Sequence, residues 1–94
     1  MINICEEENG LYIKQDTEYS DIILNYIKEH EEYSVSPHRV VDQYTGKNTD
    51  LTSITYTDGS YWWRTEDIYH IEKYNVKLRQ DFVDYVLKNT TSQN

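Results

Sequence analysis

Leu11-Tyr12-Ile13 is a short apolar run, bounded by Glu6-Glu7-Glu8 and Asn9-Gly10 before it and by Lys14-Gln15-Asp16 after it. So short a run predicts a strand or an ordered lead-in. From Ser20 the pattern turns helical. Ile22, Ile23, Tyr26 and Ile27 recur at offsets one, four and five, with Ser20 or Asp21 placed to cap the first turn, and this predicts a helix from Asp16 to Glu31. Its outer side would present Glu18, Asp21, Asn25, Lys28, Glu29 and Glu32, a mainly acidic strip. Pro37 stops any continuation, because proline disfavours a helical residue before it and has no N–H to give to a ladder. His38 to Tyr44, with Val40 and Val41, then predicts a strand closed by the polar turn Thr45-Gly46-Lys47-Asn48.

The clearest local pattern follows. Ile54-Thr55-Tyr56-Thr57, Asp58-Gly59 and Ser60-Tyr61-Trp62-Trp63 predict a hairpin with a two-residue type I′ turn, since Asp-Gly supplies the positive φ values such a turn needs. Thr57 then faces Ser60, Tyr56 faces Tyr61, Thr55 faces Trp62 and Ile54 faces Trp63. Ile54, Tyr56, Tyr61 and Trp63 share one face, the expected core face, which leaves Trp62 on the other as an exposed anchor. Thr65 is placed to cap a second helix, with Glu66 and Asp67 in its first turn, Ile68 and Ile71 inward and Asn75 closing it in the left-handed region. A third begins at Arg79 or Gln80, where Phe82, Val83, Val86 and Leu87 repeat the helical offsets. The tail from Asn89 to Asn94 has no apolar residue to hold it and is expected to be disordered.

Together these elements predict an α+β fold, a small antiparallel sheet with the hairpin at Ile54 to Trp63, one helix before it and two short helices after it. The chain has 94 residues, which makes one domain, expected over 1–88. The apolar supply is unusual, with no alanine and ten tyrosines, whose rings can bury while their hydroxyls still need partners. Cys5 is the only cysteine, so neither an internal disulfide nor a cysteine-based zinc site is expected. The start lacks the basic and apolar regions of a signal peptide, and no run approaches the ~20 apolar residues of a membrane span. A cytoplasmic protein without membrane contact is the expectation.

Charge changes the picture more than composition does. The net charge is -8, and residues 1–50 hold eleven acids against four bases while residues 51–94 hold six against five. A field that lopsided steers basic surfaces toward one side of a small protein. Direct nucleic-acid binding is disfavoured, because nine bases against seventeen acids form no cluster able to displace phosphate counterions. The chain carries no G-x-S-x-G, no Walker loop, no dinucleotide fingerprint and no H-E-x-x-H. Glu66, Asp67 and His70 lie at helical offsets that let a carboxylate and an imidazole share a metal, but such spacing is common by chance and no second histidine completes a ligand set. No catalytic residue, metal or cofactor is therefore expected. The residues expected to bind a partner are Glu18, Asp21, Glu29, Glu31, Glu32, Tyr33 and Trp62, and the partner is a protein with a basic surface.

The second half carries a resemblance. Thr57-Asp58-Gly59, Tyr61, Trp63, Asp67-Ile68, Tyr69, Ile71-Glu72, Tyr74, Val76, Leu78 and Phe82, in that order, resemble a pattern in small bacterial proteins of the toxin-immunity type. Arg64 and Arg79 stand where that pattern has prolines, and Tyr61 where it has a tryptophan. The resemblance spans Thr57 to Phe82 and implies an α+β module that binds a protein, with no catalytic residue to carry over. Three functions are set side by side. The first is an immunity-type inhibitor covering a toxin's basic surface. The second is a phage-encoded mimic of DNA acting on a nucleic-acid-binding defence enzyme, of the anti-CRISPR or anti-restriction kind. The third is a small metal-dependent enzyme built on His70.

Overall fold

A computed structural model describes residues 1–16, 18–30 and 32–91, Thr91 by its backbone alone. In chain order it contains β1 (Ile2–Asn3), β2 (Glu7–Glu8), β3 (Leu11–Tyr12), α1 (Asp21–Lys28), β4 (Glu32–Val41), β5 (Asn48–Thr57), β6 (Tyr61–Arg64), α2 (Thr65–Tyr74) and α3 (Gln80–Thr91). The fold is α+β, as the pattern predicts. Its main sheet runs in the order β1-β6-β5-β4, and β2 pairs with β3 in a separate antiparallel hairpin. The sheet is mixed, because β1 lies parallel to β6, with Ile2 beside Tyr61 and Asn3 beside Trp62.

The N-terminal segment is more deeply built in than its polar sequence indicates. Residues 76–78, between α2 and α3, lie between two stretches of it. Glu6 N–H donates to Lys77 O at 3.0 Å and Arg79 N–H to Ile4 O at 2.8 Å on one side; Gln15 N–H donates to Asn75 O at 3.1 Å on the other. Ile4, Val76 and Leu78 are consequently buried beside Ile23, Ile27, Trp63, Ile71, Phe82 and Val86. This fastening also corrects the helix predicted from Asp16. Gln15 O accepts from Asn75 Nδ2, Tyr19 accepts the Leu78 N–H on its hydroxyl, and α1 begins only after Ser20. It ends at Lys28 with Glu29 as its cap, inside the predicted end at Glu31, a residue outside the described set. Ile23 and Ile27 point inward as expected, whereas Ile22 remains exposed.

The strand predicted from His38 is a ten-residue strand that runs through Pro37. An edge strand tolerates proline because one of its sides needs no ladder partner. The pairing with β5 slips between Val35 and Arg39, around that proline, and also between Glu32 and Ser34 and between Arg39 and Val41. The hairpin is also corrected. Thr57 pairs with Trp62, Tyr56 with Trp63 and Thr55 with Arg64, so four residues form the loop. The Asp58 carboxylate accepts the N–H groups of Ser60 and Tyr61 at 2.8 and 2.7 Å, a side-chain turn that lengthens the loop, with Gly59 at φ 96°. A slip of two residues leaves every side chain on its predicted face. Trp63 is accordingly buried, its indole N–H donating to Ile27 O at 3.0 Å, and all three helices pack on that side of the sheet. Thr65 does not cap α2, because its hydroxyl accepts the Ile54 N–H at 3.0 Å; Asp67 takes the Arg64 N–H instead. Asn75 closes α2 in the left-handed region as predicted, at φ 56°. Helix α3 continues to Thr91, into the segment expected to be a tail, with Asn89 Nδ2 donating to Tyr85 O; residues 92–94 lie outside the described set.

Candidate functional site

Two kinds of cluster stand out, one inside and one on the surface. Inside, carboxylates are held by tyrosines. Asp42, 2% exposed, accepts from the hydroxyls of Tyr69 and Tyr74 at 2.6 and 2.5 Å and from the N–H groups of Tyr44 and Thr45, with Lys73 Nζ at 3.6 Å. Burial alone would raise its pKa, but these donors outweigh it and hold the carboxyl well below the usual range. Asp67, 3% exposed, accepts from Tyr12 Oη at 2.6 Å, Arg64 N–H at 2.9 Å and Asn3 Nδ2 at 3.0 Å. It thereby ties the N-terminal segment to the start of α2. Burial, and then the Asp67 charge, push the Tyr12 hydroxyl and the Cys5 thiol far above their ordinary values, which leaves Cys5 an unreactive core thiol. Tyr26 is raised likewise, by burial and then by its hydrogen bond to Asp58.

The same geometry disposes of the metal arrangement around His70. The ring is 1% exposed; Nε2 accepts the Gln43 N–H at 2.9 Å and Nδ1 lies 2.7 Å from Glu66 O. One nitrogen accepts and the other donates, so a neutral imidazole uses both on the backbone and neither faces a ligand. Asp67 is spent on its three donors, and Glu66 accepts the Ser53 hydroxyl. Among the described residues no group of three or more His, Cys, Asp or Glu is placed to hold a metal ion.

On the surface the acids divide by sequence half. Glu7, Glu8, Asp16, Glu18, Asp21, Glu29, Glu32 and Asp50 are exposed, and among the described residues none lies within ion-pair distance of a base. The second half differs. Glu72 pairs with Lys28 at 3.1 Å, Asp81 with Arg79 at 3.0 Å and Glu66 with Arg64 at 3.8 Å, while Asp58, Asp67 and Asp84 accept hydrogen bonds from Tyr26, Tyr12 and Gln80. The exposed negative field therefore belongs to the first half. Glu29 sits at the C-cap of α1, the negative end of the helix dipole, where a carboxylate costs about 0.3–1 kcal/mol. Folding does not account for its presence there.

The structure brings some predicted site residues together and separates others. Glu29, Glu32 and Tyr33 cluster where α1 passes into β4, with Tyr33 67% exposed beside Val35 at 60%. Glu18 and Asp21 lie at the opposite end of α1, roughly 12 Å away along an eight-residue helix. Glu31 lies outside the described residues. Trp62 belongs to neither group. It projects from the face of the sheet opposite to Trp63, half-buried, with the Arg64 guanidinium 5.1 Å over its ring and Arg79 lining the same hollow. Glu7 lines that hollow as well, and because α1 packs on the opposite face of the sheet a single flat partner does not cover Trp62 and the acidic helix together. Val35 was missed by the sequence reading, although its place two residues after Tyr33 in an alternating stretch was there to see.

No helix among the described residues is long and apolar enough to cross a membrane. No protein-family model, no curated protein and no solved structure matches the chain.

Proposed function

We propose that this chain is a non-catalytic inhibitor of the immunity type, one that covers the basic functional surface of a toxin-like enzyme. The observation that carries this reading is the set of eight exposed carboxylates without cationic partners in the first half of the chain, against Asp84 alone in the second half among the described residues. Uncompensated surface charge does little for stability and much for the rate at which an oppositely charged partner arrives. Exposed Tyr33 and Val35 beside Glu29 and Glu32 add apolar area of the kind that lengthens residence, which favours a protein interface over strict imitation of a phosphate backbone. The resemblance between Thr57 and Phe82 points the same way.

The test is capture from the native host with the chain as bait, at about 50 mM and about 500 mM salt, beside a variant in which Glu18, Asp21, Glu29 and Glu32 are all lysine. The expected outcome is one basic enzyme held by the wild type at low salt, absent from the variant, and inactivated when the wild-type chain is added back. An enzyme captured equally by the variant, or one whose activity the chain leaves untouched, removes the reading.

A further inference from the structure

We propose that the target docks by adding a strand that carries basic side chains to the sheet edge at Glu32, Tyr33, Ser34 and Val35. This rests on the inhibitor reading above and specifies how that surface binds. Strand β4 is the outer strand of the sheet, so one side of its backbone has no partner strand. Its first four side chains are exposed on both faces, so nothing else in the described chain covers them. Such an edge is a template for another strand, and soluble proteins usually blunt it with proline, bulges or charge. Here the blunting is uneven. Pro37 and the slipped register between Val35 and Arg39 interrupt the distal part; the register also shifts between Glu32 and Ser34, but Glu32 to Val35 holds no proline, so each of its residues keeps a backbone N–H. The open stretch spans four residues, about 13 Å at the usual strand rise.

Charge selects the occupant. Glu32 opens the stretch and Glu29 precedes it, neither with a cationic partner among the described residues, and Tyr33 and Val35 offer apolar contacts to an extended chain. A second copy is opposed because each copy carries a net charge of -8. A strand with basic side chains satisfies the carboxylates and the backbone at once.

The test uses the full chain, isotopically labelled, and three hexapeptide probes. One alternates lysine and valine, one is the same peptide N-methylated at alternate residues, and one alternates glutamate and valine. Addition of the first is expected to shift the amide resonances of Glu32 to Val35 and slow their hydrogen exchange, with the N-methylated twin weaker by on the order of tenfold for the ladder bonds it lacks. The double variant Tyr33→Ala, Val35→Ser should weaken binding while the melting temperature stays near wild type. Equal binding by the N-methylated twin, or shifts spread along α1, overturns strand addition and leaves the acidic-surface reading standing. Equal binding by the glutamate peptide overturns the acidic-surface reading itself. Absence of any shift at millimolar peptide, or a concentration-dependent dimer mapped to the same four residues, also overturns the proposal.

Discussion

Replacing Asp67 tests whether its carboxylate is a structural fastener or part of a reactive group. In Asp67→Ala, Tyr12 Oη, the Arg64 N–H and Asn3 Nδ2 all lose the acceptor they now reach at 2.6, 2.9 and 3.0 Å. Hydrogen bonds to a charged group contribute about 1.5–3 kcal/mol each; partial access of water to the three donors lowers the total to about 3–5 kcal/mol. A domain of this size has only about 5–10 kcal/mol in all. At ~4–8 °C per kcal/mol the melting temperature should fall by roughly 12–40 °C. Asp67→Asn is the informative partner. Its amide oxygen can accept from Arg64 and Asn3 while its NH₂ donates to the Tyr12 oxygen, so only the charge assistance is lost, about 1–2 kcal/mol. Urea and thermal unfolding followed by far-ultraviolet circular dichroism measure both. A melting temperature for the alanine variant within about 2 °C of wild type would show that the N-terminal segment is not anchored through Asp67. An asparagine variant as damaged as alanine would mean that the negative charge matters beyond its hydrogen bonds, and would reopen the metal reading.

Two further predictions follow from the sheet and the tyrosines. Trp63→Ala should cost about 3–5 kcal/mol, since it empties a fully buried site and leaves Ile27 O without its donor, whereas Trp62→Ala should cost about 1 kcal/mol or less; the reverse order in urea unfolding would put the hairpin faces the wrong way round. Stability should also fall in alkali. Tyr12 and Tyr26 have folded-state pKa values raised above the unfolded value of about 10, so their contribution is complete below that pH and is lost as pH rises past it; tyrosinate absorbance should appear together with unfolding. Ionisation of all ten tyrosines before any loss of circular dichroism counts against these buried hydrogen bonds.

Patterns that act over a few residues were legible in the sequence. The offsets of Ile23 and Ile27, of Ile71, and of Phe82 and Val86 placed the inner faces of three helices, and the alternation around Trp63 chose the buried tryptophan even though the turn was mistaken. The hairpin faces survived because strand period is two and the slip was two. The charge imbalance was legible too, since it depends on composition alone. What the pattern could not hold was which backbone groups far along the chain would meet. Ile4 became core, and α1 began late, because residues 75–79 come to lie against residues 4–6 and 13–15, contacts separated by 60 to 75 positions. His70 read as a ligand candidate because offsets place side chains on one face without saying which backbone donors and acceptors will claim them. Tertiary packing likewise divided the acids, engaging nearly all those of the second half and leaving most of the first half in solvent, and it put Trp62 on the far side of the sheet from the acidic helix. Local conformation and total charge follow from the residues in their order; which of those charges remain free to meet a partner follows from the fold, which brings distant donors and charges within bonding distance.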